Sequence, residues 1–158
     1  MCWDNVDFQG LECRPYRTDE LALVVPPGHA LAARAAVRFE QTLEHEHVGL
    51  PPNAAVHAML QRATARSGRA PVYRAIVSSF DAALRVVAAD LGSAVIPRQI
   101  AARHAREGAV RVVRLTDPWA ARRFNVCVRD RGSLHPAAGR LFDFLVQQAA
   151  IETATPAA

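Results

Sequence analysis

A chain of 158 residues fits one ordinary domain or two small lobes. About half the residues are apolar and the formal net charge is +4 with both signs interspersed, which excludes a disordered chain. No apolar run approaches the roughly 20 residues of a membrane span. The opening residues from Met1 lack the basic start and apolar stretch of a secretion signal. A cytoplasmic protein without membrane contact is expected.

All 19 basic residues are arginine, and the isoelectric point is near 9.6. They are spread from Arg14 to Arg140, mostly beside acidic neighbours, so no basic block forms that would bind nucleic-acid phosphates by releasing counterions. Cys2, Cys13 and Cys127 have no CxxC spacing. Reduced thiols are expected, with Cys127 packed as a small hydrophobe.

Glu20 to Val25 is an apolar run stopped by Pro26-Pro27-Gly28 and reads as a buried strand entering a turn. His47 to Leu50 is a second short strand, ended by Pro51 and Pro52. Asn53 then has the side chain to cap a helix, with Val56, Met59, Leu60 and Ala63 on one face and Gly68 at its end. A faint helix-turn-helix look around Ser67-Gly68 is spoiled by Pro71 and the β-rich run Val72 to Val77. Ser78 and Ser79 are cap residues for a helix, apolar nearly all round, from Ala82 to Leu91, which Gly92 breaks. A strand Ala94 to Ile96, a helix Arg98 to Glu107 and strands Val110–Leu115 and Arg123–Val128 follow. The last helix begins near Pro136 with a core face of Ala138, Leu141, Phe142, Leu145 and Ala149; the tail beyond it is expected to fray. Short alternating strands and helices with non-alternating strands predict an α/β fold with a mainly parallel sheet.

Three stretches together resemble the effector-binding domain of LysR-type transcriptional regulators. They are Pro15–Ala32 (PYRTDELALVVPPGHALA), Val77–Pro97 (VSSFDAALRVVAADLGSAVIP) and Val113–Arg129 (VRLTDPWAARRFNVCVR), in the family's order. The resemblance implies a type II periplasmic-binding-protein-like fold, with one complete lobe, a partial second lobe and an effector cleft between them. On that basis residues 1–25 are a partial first lobe, 26–115 the second lobe, 116–150 the return to the first lobe, and 151–158 a disordered tail. The family's helix-turn-helix and the opening part of the first lobe are missing from the match, so DNA contact is expected only through a helix-turn-helix outside this chain. The family usually pairs its effector domains side by side, but part of that surface is missing from the match, so the resemblance leaves a homodimer as one option and the oligomeric state open. Asp90 stands where the family favours glycine, and Ser93 replaces a usual aliphatic residue.

Two helices start straight after strands, at Pro52-Asn53-Ala54 and at Ser78-Ser79-Phe80. In an α/β sheet such starts lie at the strands' carboxyl ends, where ligand crevices form, and their free N–H groups suit a carboxylate. Asn53, Ser78 and Ser79 add hydrogen-bonding side chains and Phe80 an apolar wall, although capping alone accounts for Asn53 and Ser79. Thr18 and Thr116, near the segments that cross between lobes, complete the candidate effector set. Trp119 reads as a packing residue. The expected ligand is a small anionic metabolite, sensed for transcriptional control; a solute-binding protein of a transport system is the alternative on the same fold. His45-Glu46-His47 has no third ligand for a metal site. With no GxSxG, HExxH or glycine-rich phosphate loop, neither catalysis nor a cofactor is expected.

Overall fold

Five apolar residues in succession, Leu21 to Val25, are each no more than 1% exposed. They form the second half of strand β2 (Glu12–Val25) in a computed structural model that describes residues 2–3, 10–65 and 68–154. The chain divides into unit 1, Met1–Asp19 with Arg122–Ala158, and unit 2, Glu20–Ala121.

In unit 2 the buried half of β2 lies between β6 (Ala94–Pro97) and β7 (Arg111–Leu115), antiparallel to both, with Leu23 opposite Val95 and Val113. Leu21–Val25 pair with β6 and β7, and residues 20–25 belong to unit 2. Strand β3 (Ala36–Val37) pairs in parallel with β7. Strands β4 (His47–Gly49) and β5 (Tyr73–Ile76) form a separate parallel pair, and a parallel bridge joins His47 to Ser93. The fold is α/β as expected, but the sheet is mixed rather than mainly parallel. A strand covered on both faces loses its alternation whichever way its neighbours run, so the apolar run carried no information on direction.

Alternate β2 residues point to opposite faces. Leu21, Leu23 and Val25 join a core with Phe39 of α1 (Phe39–Thr42) and with Val56 and Leu60 of α2 (Ala55–Thr64). Val24 joins a second core with Ala83, Leu84 and Val87 of α3 (Phe80–Ala88) and Ala101 of α4 (Arg98–Arg106). Each fully buried Leu or Val side chain contributes about 1.5–3 kcal/mol relative to exposure. Trp119 packs against the first core, edge-on to Phe39 at 5.5 Å, as a packing residue should.

His47, 1% exposed, is the largest polar side chain inside unit 2. The hydroxyl of Thr42 donates to the Phe39 carbonyl at 2.7 Å, leaving the His47 Nε2–H to donate to the Thr42 carbonyl at 3.0 Å. Nδ1 lies 3.4 Å from the Ser93 hydroxyl. Burial holds the His47 pKa down to about 4, with His45 and His29 adding repulsion.

Just past the end of helix α3, Asp90 adopts φ 62°. The Asp90 N–H donates to the Val87 carbonyl and the Leu91 N–H to the Val86 carbonyl, the paired bonds of a Schellman motif, whose left-handed position favours glycine.

Unit 1 contains β1 (Cys2–Trp3), β8 (Ala121–Val128) and the first half of β2, in that order, together with α5 (Pro136–Ala154). Cys13 and Cys127, on β2 and β8, form a disulfide with Cα atoms 4.2 Å apart. This corrects the expectation of reduced thiols: the two positions are distant in sequence, and only strand pairing brings them together. Asp19 pairs with the buried Arg122, and Arg131 with Asp143. On the expected core face of α5 only Phe142 is buried, whereas Leu141 is 58% exposed. The described elements of unit 1 cover too little of the helix to bury a full face. The helix continues to Ala154, past the start of the expected tail at 151; residues 155–158, like Ser67, lie outside the described residues.

Two outcomes follow from these contacts. Asp90→Gly relieves a left-handed conformation that costs a non-glycine residue about 1–2 kcal/mol. Glycine's greater freedom when unfolded offsets part of that gain. A net stabilisation of about 0.5–1 kcal/mol is expected in urea denaturation, whereas Asp90→Val should destabilise. For His47 the folded pKa lies below the unfolded 6.5, so the unfolded chain takes the proton first. The associated stability is complete above pH 6.5 and is lost as pH falls from there towards 4, by about 3 kcal/mol in total. Denaturation midpoints from pH 7.5 to 4.5 should show this loss in the wild type and a flatter profile in His47→Gln.

Candidate ligand site at two helix starts

Strands β4 and β5 run side by side in parallel, and each leads through a short turn into a helix. The Val77 N–H donates to the Gly49 carbonyl at 2.9 Å, tying the two carboxyl ends together. Helix α2 packs into the core on one side of β2 and α3 into the core on the other. Helices that leave adjacent parallel strands towards opposite faces open a crevice beyond the strands' carboxyl ends. Each helix start brings unpaired N–H groups and a partial positive charge to it.

Pro52 and Asn53 are exposed in the turn before α2. Asn53 does not cap the helix as expected: the Ala54 N–H closes a turn onto the Pro51 carbonyl at 2.8 Å, and Ala54 occupies the cap position without a side-chain hydrogen bond. The proline pair holds the chain in that turn one residue longer than the cap signal suggested. At α3 the cap is Ser79, whose Oγ accepts from the Ala82 N–H at 3.1 Å and whose hydroxyl proton stays available to donate. Ser78 is exposed, and Phe80 is half-buried against both cores. The structure therefore brings the Pro52–Ala54 and Ser78–Phe80 groups to the ends of neighbouring strands. Thr116 is exposed on unit 2 with its N–H and hydroxyl both on the Val37 carbonyl. Thr18 is exposed on β2 in unit 1.

Three residues that carried no signal of their own also belong to this end of unit 2. A cavity of about 10 Å³, room for one water molecule, is lined by Gly49, His57, Tyr73 and Phe80 among others. The His57 Nδ1–H donates to the Leu50 carbonyl at 3.1 Å, and the imidazole stacks on Tyr73 at 5.8 Å. The Tyr73 hydroxyl is buried and makes no hydrogen bond among the described residues; burial also raises its pKa.

The His45-Glu46-His47 segment does not form a metal centre. His45 stands edge-on to His29 at 4.5 Å while His47 is sealed in the core, and among the described residues no group of three or more candidate ligands could hold a metal ion. Among the described residues no helix is long and apolar enough to cross a membrane.

A model of the LysR substrate binding domain matches residues 2–150. The chain belongs to this family. LysR substrate binding domains are parts of transcriptional regulators rather than of enzymes. Solved structures share the type II periplasmic-binding-protein-like fold. The effector binding domain of QuiR in complex with shikimate aligns with a TM-score of 0.76 at 19% identity, over 94% of this chain and 68% of that one. The regulatory domain of Synechocystis CcmR in complex with 2-PG aligns with a TM-score of 0.78 at 14% identity, over 92% and 69%. The regulatory domain of MetR from N. meningitidis aligns with a TM-score of 0.73 at 14% identity, over 94% and 68%. No curated protein matches the sequence.

The close approach of β4 to β5 is testable at Gly49. A Cβ there would lie 2.6 Å from the Tyr73 ring and 2.8 Å from the Ile76 side chain. Gly49→Ala should destabilise unit 2 by about 1–3 kcal/mol, as overpacking does. Pairing it with Tyr73→Ala should recover part of that loss, measured by urea denaturation of the single and double variants.

Proposed function

We propose that this domain senses a small anionic metabolite on the face of unit 2 where α2 and α3 begin. Pro52, Asn53, Ala54, Ser78, Ser79 and Phe80 form its ligand-contacting surface. The observation that carries the reading is the handover of two adjacent parallel strands to helices on opposite faces, so that both helix starts meet at one crevice. A carboxylate there gains about 0.3–1 kcal/mol from each helix end when exposed and up to about 2 when partly buried. Side-chain donors on Asn53 and Ser79 add direction. The small molecules held by the QuiR and CcmR domains support a small-molecule ligand here. In the family's setting the domain acts in the cytoplasm, as a homodimer, on DNA bound through a helix-turn-helix.

The test is chemical-shift mapping with calorimetry of the 158-residue chain, using a panel of small carboxylates that includes shikimate. Amides of residues 53–57 and 78–82 should shift on binding. Ser79→Ala should weaken affinity several-fold with α3 still folded by circular dichroism, whereas Ser133→Ala leaves it unchanged. A ligand that shifts residues 45–47 and leaves Asn53 and Ser79 silent would refute the assignment.

A further inference from the structure

We propose that Cys13 and Cys127 are a reversible redox site that locks unit 1. The two cysteines sit on the neighbouring strands β2 and β8, and their Cα atoms are 4.2 Å apart. Both are half-buried, open enough for attack by a small thiol or disulfide. Unit 1 is assembled from two segments separated by all of unit 2, and the disulfide joins them across 114 residues of sequence. Its apolar core is slight. Both buried apolar clusters lie in unit 2, and Phe142 is the one buried hydrophobic side chain among the described residues of unit 1. Unit 2 is one continuous segment with a core on each side of β2 and does not depend on the bond. Loss of the link frees its two ends in the unfolded chain, and the penalty for re-closing so long a loop falls on unit 1.

Reversibility rests on the cytoplasmic setting proposed above, where thiol pools keep lasting disulfides rare and those that form are mostly catalytic or sensing. The exchange needs a small-molecule disulfide as oxidant. One cysteine thiolate attacks it and expels one thiol, giving a mixed disulfide. The second cysteine then attacks the protein-bound sulfur and expels the other thiol. Two protein thiols and one small disulfide thus become one protein disulfide and two small thiols.

The experiment equilibrates the full chain in glutathione buffers from fully reduced to fully oxidised, without any effector. Peptide mapping identifies the linked cysteines, and hydrogen exchange follows each segment. Oxidation should link Cys13 to Cys127 and slow exchange in β8 and α5 by tenfold or more, with less than a twofold change in 21–25 and α3. In oxidised buffer Cys13→Ser and Cys127→Ser should exchange like the reduced wild type, and Cys2→Ser like the oxidised wild type. Should a variant fail to fold, the wild type in the two extreme buffers decides alone. A link to Cys2, a bond that reduced glutathione does not open, or slowing that is absent or equal in both units would each overturn the proposal. Because no effector enters the measurement, a failure of the ligand assignment leaves this result intact.

Discussion

The structure of unit 2 depends on one strand being apolar on both faces. Leu21 to Val25 have no polar position in which to meet water, so the chain must cover them twice. One face takes α1 and α2, the other α3 and α4, and the backbone edges take β6 and β7. A polar side chain at Leu23 would be left without partners in either core, at the cost of an unsatisfied buried group.

The same division places the ligand face. Because α2 and α3 belong to opposite cores, the strands that precede them hand over in opposite directions, and the gap between the two helix starts is where a ligand can reach backbone N–H groups. The position of β4 is set from its amino end by polar contacts inside the core. His47 bonds to Thr42, the Val48 N–H to the Ser93 carbonyl, and the Ser93 N–H to the Glu46 carbonyl. Ser93 contributes both backbone groups to this network and places its hydroxyl beside the histidine.

Unit 1 is held differently. With little apolar burial, its specificity comes from pairings between segments remote in sequence: Cys13 with Cys127, Asp19 with Arg122, and the Arg131 N–H on the Glu12 carboxylate. A covalent link responds to solvent redox state more directly than a hydrocarbon core does. Of the two units, this one is more open to control by its surroundings.

Much of this was legible in the sequence. Apolar runs and periodicity located the second half of β2, α2, α3 and β6, proline and glycine marked their ends, and the three family-like stretches pointed to the fold. Ser79 was legible as a cap because capping is local chemistry between residues three apart. The short β3 and α1, with two and four residues, carry too little periodicity to be seen. What the sequence by itself determined is which residues must leave water and where the chain must turn, since both follow from side-chain chemistry and local backbone preference. Only the tertiary structure decided strand direction, the pairing of Cys13 with Cys127, the displacement of Asn53 from the cap, and the meeting of His57, Tyr73 and Gly49. Each of those depends on which distant segment comes to lie alongside, and local preference does not encode it.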